Sequence, residues 1–322
     1  MYQEEQGKVS VILVIYNGKK YIKPVFDAIF AQTYRHLEVI AVINGNEDKS
    51  KELIEQNYSQ VKIIDPGVNL WFAKGNNLAI REASGEFIQL VNQDLVLEPG
   101  YIEKMVLAFT DKRVGAATGK LRQYNFDLGL KTAILDSTGI VMGKSGRARD
   151  RGQHEVDKGQ YDESREVFAV SGAGPMYRRS ALEEIKYCEQ YKCEYFDEDF
   201  VAYWEDVDLS WRLNHCQYKN VYVPQALGYH GRTAGSAEKG YLHLFKYVQH
   251  HKKLSTINRR LNYKNHIFMY LKNSKWIHPL FILREIAMLG YILIFEISTV
   301  RVIPEMFRLW PKMRCKRRYI LQ

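Results

Sequence analysis

The feature that most limits how this chain can fold is a repeated local pattern. A short run of β-branched and aliphatic residues is stopped by Asn-Gly and followed by a stretch with helical spacing. The first run, Val9-Ser10-Val11-Ile12-Leu13-Val14-Ile15, ends at Tyr16-Asn17-Gly18; the second, Leu37-Glu38-Val39-Ile40-Ala41-Val42-Ile43, ends at Asn44-Gly45-Asn46. Runs this short and this apolar fit strands buried on both faces. Helices are predicted over 21–31, 48–58, 72–83 and 99–110, and further strands over 61–64, 86–91 and 114–118. Strands alternating with helices imply right-handed crossovers, hence a mainly parallel, Rossmann-like α/β sheet with helices on both faces. Ligands of such sheets sit beyond the carboxyl ends of the strands. Asn17, Asn44 and Asp94 lie at three such ends, so separate strands deliver them to one crevice.

Beyond this pattern the chain changes character. Residues 125–164 are rich in Gly, Asp, Arg and Lys and weakly periodic, which predicts a long loop or hairpin over the crevice. An apolar stretch at 167–170 precedes a tight turn at 171–174. A helix is predicted over 206–214, with Leu209 and Leu213 on one face, and a short edge strand over 221–224, where Pro224 is tolerated. At 322 residues, one large domain plus an appendage is expected. The net charge of +9 supports a division at 240: residues 241–322 hold sixteen Lys and Arg against three acids, a balance of +13, while residues 1–240 carry −4. The extension is predicted helical. Its apolar stretch 276–300 contains Arg284, Glu285 and Glu296, so an amphipathic helix lying in a membrane interface is expected rather than a span. An anionic membrane surface is the expected partner. Nucleic acid is not expected, because it has no use for the apolar run 280–297. Self-association stays open as another use of the extension. The polar, acidic start predicts no signal peptide. Four cysteines without C-x-x-C spacing fit a reducing cytosol and argue against structural zinc.

Two acidic features carry the chemistry. Asp94 follows the predicted strand 86–91 in Asn92-Gln93-Asp94. Glu205, Asp206 and Asp208 crowd within Tyr203-Trp204-Glu205-Asp206-Val207-Asp208. Carboxylates packed this tightly repel, which a chain tolerates where a cation or a proton transfer uses them. Plainer readings exist: Asp94 as a turn aspartate capping a helix, and the acidic cluster as a helix N-terminus. Trp204 and Trp211 read as core or pocket walls, and Arg147, Arg149 and Arg151 as a solvated run.

Taken in order, several motifs resemble family 2 glycosyltransferases of the GT-A fold, in particular the rhamnosyltransferase-like branch. They are Val11 through Asn17, Asn69 through Asn77, Asn92-Gln93-Asp94, Val170 through Gly174, Phe196-Asp197-Glu198-Asp199, Tyr203 through Arg212, and His230-Gly231, spanning roughly residues 8–235. The resemblance implies inverting transfer of a sugar from a nucleotide-diphosphate-sugar to an acceptor hydroxyl, with Mg²⁺ or Mn²⁺. It implies that Asp94 matches the last carboxylate of an Asp-x-Asp metal motif and that His230 approaches the metal or diphosphate. By the same resemblance Asp206 is the base with Glu205 beside it. Tyr16, Asn17, Asn44 and Asn92 are assigned to the nucleotide site, with Asn76 supporting it and helix capping as the plain alternative for Asn76 and Asn77. The expected acceptor is a saccharide or lipid-linked saccharide of a surface polysaccharide. The expected location is cytoplasmic, peripheral on the inner face of the membrane. Two departures stand out: Ile43 replaces an acid of the family's second strand, and Asn92 replaces the first Asp of Asp-x-Asp. These motivate an alternative, a non-catalytic protein of the same fold that binds a nucleotide-sugar or glycan.

Overall fold

The computed structural model describes residues 5–189, 192–231, 248, 251 and 254–321. The first half follows the predicted alternation: β1 (Glu5–Tyr16), α1 (Lys19–Phe30), β2 (Leu37–Gly45), α2 (Ser50–Asn57), β3 (Lys62–Ile64), α3 (Trp71–Glu82), β4 (Gly85–Leu90), β5 (Leu95–Leu97) and α4 (Tyr101–Ala108). Then come β6 (Val114–Asn125), β7 (Leu130–Ser137), β8 (Ile140–Met142), β9 (Ala148–Asp150), β10 (Arg165–Glu166), β11 (Pro175–Arg178) and α5 (Arg179–Ile185). The body closes with β12 (Tyr187–Glu189), β13 (Lys192–Glu194), α6 (Glu205–His215) and β14 (Lys219–His230).

The main sheet runs β10-β14-β6-β11-β4-β1-β2-β3, with β5 on β14 and β7 on β6. Pairings of β1 with β2 and β4, of β2 with β3 and of β14 with β6 are parallel; the others are antiparallel. The period of two in β1 explains the double burial. Val9, Val11, Leu13 and Ile15 pack with Phe26, Ile54, Tyr101 and Met105 of α1, α2 and α4. Ile12 packs on the opposite face with Ala73, Ile80, Leu182, Leu209 and Leu213 of α3, α5 and α6.

Of the loop or hairpin expected after 125, the hairpin forms as β6–β7, with the small β8–β9 ribbon following it. Two other local expectations change. The strand expected at an edge over 221–224 is part of twelve-residue β14, flanked by β10 and β6; Pro224 falls at a register shift between Val223 and Leu227, a bulge position that needs no ladder donor. Cys188 and Cys193, paired across β12–β13, form a disulfide, while Cys216 and Cys315 are free. A disulfide is the habit of oxidising compartments, so cysteine usage does not support a reducing one.

The extension contains α7 (Thr256–Asn273), α8 (Pro279–Phe295) and α9 (Ile303–Ile320). Most of the helix expected over 241–260 lies outside the described residues. No described helix is long and apolar enough to cross a membrane. The extension is locked onto the body by buried charge. Lys272 pairs with Asp197 and, at 2.9 Å, with Asp208. Lys316 reaches Asp197, Asp199 at 2.9 Å and Glu194 at 3.2 Å. Lys264 donates to the Asp199 carbonyl at 2.9 Å, and Asn273 to Asp208 at 2.7 Å. Burial alone would push the Asp197 carboxyl up, but the ammonium groups of Lys272 and Lys316 hold it far below the usual range. Part of the basic excess therefore neutralises the acids of Phe196-Asp197-Glu198-Asp199 rather than facing outward.

Candidate active site

Two adjoining cavities open at the carboxyl ends of β1, β2 and β4. The larger, about 510 Å³, holds Asp94, Asp150, Glu205, Asp206 and His230. The smaller, about 380 Å³, holds Asn44, Asn69, Trp71, Asn76 and Asn258. Tyr16, Asn92 and Tyr203 line both, so the two form one continuous site.

Backbone pairing delivers Asp94. The Val91 N–H donates to Ile12 O, the Asn92 N–H to Ala173 O and the Leu95 N–H to Asn92 O, closing a turn after β4. β5 then pairs antiparallel with β14, setting His230 opposite Leu95, and the Gly231 N–H donates to Asp94 O at 2.8 Å. His230 Nε2 consequently lies 3.2 Å from Asp94 Oδ1, and its Nδ1 lies 2.8 Å from Oδ2 of fully buried Asp136 on β7. Burial would lower the imidazole pKa, but Asp94 and Asp136 raise it to about 9. Burial would raise Asp94, but His230 holds it below its ordinary value. Among the described residues no group of three or more His, Cys, Asp or Glu surrounds one point. Asp94, and His230 once its Nε2 proton is displaced, are the residues that would hold a divalent ion shared with a diphosphate.

Asp206 is the second residue of α6, whose N-cap Trp204 is left-handed at φ 72°. Its Oδ2 accepts from the Gly172 N–H and its Oδ1 from the Val207 N–H, both at 2.8 Å. Gly172 permits this approach: a Cβ there would stand 3.1 Å from Asp206 Oδ2. Burial, with Asp150 adding, raises the Asp206 carboxyl to about 6 despite those two N–H donors. Glu205 is pushed well above its ordinary range by burial and then by Asp206 and Asp208, and its buried Oε2 has no hydrogen-bond partner. Adjacent buried carboxyls do not ionise together. Burial and these neighbours favour the protonated form of Glu205, and Asp206, with two N–H donors, is the better placed to serve as the carboxylate of the cleft. The helix-terminus reading also holds, since all three acids sit in the first turn of α6.

The assigned nucleotide residues divide. Tyr16 is exposed at the rim and Asn92 lines both cavities. Asn44 is committed to protein: its amide donates to Trp71 O at 2.9 Å and its oxygen accepts from the Leu70 N–H at 3.2 Å, so it shapes the wall. Asn76 lines the smaller cavity and bonds Phe72 O, while Asn77 grips Phe196 from both sides of its amide. Asn17, left-handed at φ 44°, lines neither cavity and clips the end of β1 to Glu47. The arginine run is not simply solvated. Arg149 lines the cleft, and Arg151 bonds Thr138 O between the rings of Tyr161 and Tyr222. Trp204 is a cleft wall and Trp211 packs with Phe168 and Tyr270.

Four contributors carry no motif signal: Asp136, Asp150, Asn258 and Asn262. The last two come from α7, so the extension builds part of both cavities. Asn262 Oδ1 accepts from Trp204 Nε1 at 3.2 Å. Asn265 donates to the carbonyls of Phe200, Ala202 and Tyr203, pinning a turn in which Val201, Tyr203 and Trp204 all have positive φ. Side chains this large are strained there and persist only where their surroundings fix them.

Residues 10–186 match the profile of Glycosyl transferase family 2. Among curated proteins, the poly-beta-1,6-N-acetyl-D-glucosamine synthase of Staphylococcus epidermidis is 25% identical over 230 residues, covering 70% of this chain and 50% of that one. Glycosyltransferase GlyG of Streptococcus pneumoniae is 30% identical over 122 residues, covering 37% and 40%. The chain spans about half the length of the first relative or less of the second. Among solved structures, GalNAc-T7 with UDP, GalNAc and Mn²⁺ superposes with a TM-score of 0.57 at 12% identity, covering 82% of this chain and 47% of that one. Staphylococcus aureus TarS superposes at 0.50 and 15% identity, covering 83% and 44%. These likenesses place the fold in the GT-A class.

Proposed function

The chain belongs to glycosyl transferase family 2, and we propose that it transfers a sugar, with inversion, from a nucleoside-diphosphate-sugar to a saccharide hydroxyl. The carrying observation is the Asp206 carboxyl, held by two backbone N–H donors beside buried Glu205, in a cleft that also holds Asp94 and His230. The nucleotide occupies the smaller cavity and the reacting sugar the larger. The acceptor oxygen bonds to the anomeric carbon as the bond from that carbon to the diphosphate oxygen breaks on the opposite face. Asp206 takes the acceptor proton during attack. Glu205, uncharged, keeps the pocket from holding two negative charges. Asp94 and His230 would hold a divalent ion, whose positive charge, when bound, favours departure of the diphosphate.

The acceptor is a lipid-linked saccharide of a surface polysaccharide, and the enzyme works peripherally on the inner face of the cytoplasmic membrane. Resemblance to a named polysaccharide synthase supports that acceptor class. The quoted motifs support the rhamnosyltransferase-like branch. A panel of nucleotide-sugars, scored for metal-dependent diphosphate release and for protection from thermal unfolding, tests the reading. Protection without release or transfer by any donor would leave the non-catalytic binder instead.

A further inference from the structure

Helix α8 is turned the wrong way for a surface helix. Phe281, Tyr291 and Ile292 are buried, and Arg284 and Glu285 lie on the inward flank, paired with each other and with His266. The outward side is apolar: Leu280, Ile282, Leu283, Ile286, Leu293 and Ile294 are exposed, with Leu283 and Ile286 at 64% and Ile294 at 74%. A surface helix normally presents its polar side to water. Helix α9, which shares a core with α8 through Phe281 and Met313, continues the pattern with exposed Phe307, Trp310 and Tyr319. The exposed charged residues from 275 to 321 are all basic, Lys275, Arg301, Arg308, Arg314 and Arg318, while the partly exposed Glu305 is paired with buried Lys264.

We infer that the outward face of α8, rimmed by α9, docks on an anionic lipid bilayer. Aliphatic side chains enter the acyl boundary, aromatic rings sit at headgroup level and arginines meet lipid phosphates. A second copy of the chain fits less well. A two-fold contact places the same rim on both sides and sets arginine against arginine. Phe281 is not part of this surface, since it stacks on Tyr270 inside the protein.

The surface stands close to the cleft. His266 packs its ring 4.8 Å from that of Trp204, a cleft wall, and 5.7 Å from that of Phe281 on α8. Its Nδ1 accepts from Arg284, and its Nε2 donates to Gly146 O in the loop before β9. A docked α8 therefore holds the cleft at the membrane, where a lipid-linked acceptor would meet it. That consequence rests on the transferase reading; the docking itself does not.

The test is flotation of the full chain with phosphatidylglycerol vesicles and with phosphatidylcholine vesicles. Binding to the former should weaken in high salt without complete release. Paired changes Leu283→Asp and Ile286→Asp should abolish it, and Arg314→Glu with Arg318→Glu should weaken it by at least roughly thirty-fold. Unchanged thermal unfolding shows that each variant is folded. Failure to float with either vesicle overturns the inference. So does a dimer by light scattering that Leu283→Asp converts to monomer, because the face then covers a second copy. Vesicle binding without donor turnover refutes the transferase reading and leaves the docking intact.

Discussion

Oδ2 of Asp136 lies 2.8 Å from Nδ1 of His230, which turns the other ring nitrogen toward Asp94. A buried carboxylate behind an imidazole fixes its orientation and keeps the proton on Nδ1, so Nε2 is the nitrogen that would give up its proton to a metal ion.

Asp136→Ala should therefore weaken divalent-ion binding by about 10–100-fold, the usual effect of losing such a partner. Asp136→Asn should retain part of the affinity, because its oxygen still accepts from Nδ1. Mn²⁺ titration followed by electron paramagnetic resonance, with nucleotide present, reads this directly. Equal affinity in all three proteins would show that Asp136 does not position His230. EDTA should abolish diphosphate release in the unaltered protein.

The two adjacent acids should respond unequally. Asp206→Asn cannot accept the acceptor proton, and transfer should fall about 100-fold or more while donor binding persists. Glu205→Gln resembles the protonated acid already present, so most turnover should survive. The opposite ranking in single-turnover assays would exchange their roles.

The pH profile follows from Asp206. Its carboxyl is raised to about 6, and the base must be deprotonated to act. kcat/KM should rise with pH through about 6 and level off above it. In Asp206→Asn this rise should disappear from whatever activity remains. A wild-type profile flat from pH 5 to 7 would remove Asp206 from the role.

The extension should not be dispensable. Asn258 and Asn262 line the cleft, Asn265 pins the 200–204 turn, and lysines of the extension pair inside the body, so the site and the extension are built together. Lys272→Ala should lower stability by about 1.5–3 kcal/mol, because it removes one charged donor from buried Asp197 and Asp208 while Lys316 and Arg212 remain. A chain ending before Ser255 should lose nucleotide protection as well. Denaturant unfolding and nucleotide titration of both variants test this; a truncated chain that binds nucleotide normally would show that α7 is mere packing.

What could be read from the sequence was local. The runs at 9–15 and 37–43 declare themselves because both faces of their strands are buried, and Asp94, Asp206 and His230 carry recognisable neighbours. Four-residue β11 is too short to show a period. Asp136, in Ile134-Leu135-Asp136-Ser137, looks like any strand acid until β7 brings it beside β14. Lys264, Lys272 and Lys316 read as outward charge because their partners, Asp197, Asp199 and Asp208, lie far away in sequence.

The antiparallel pairing of β5 with β14 also sets a schedule. Asp94 leaves the ribosome early, but His230 is the last residue of the body's final strand, and the asparagines of α7 follow later still. Until those segments emerge, a nascent chain has the crevice but neither the second candidate ligand nor the clamp on the 200–204 turn. The crevice and the completed site are thus separate stages in the order of the chain, the second waiting on residues 230–265.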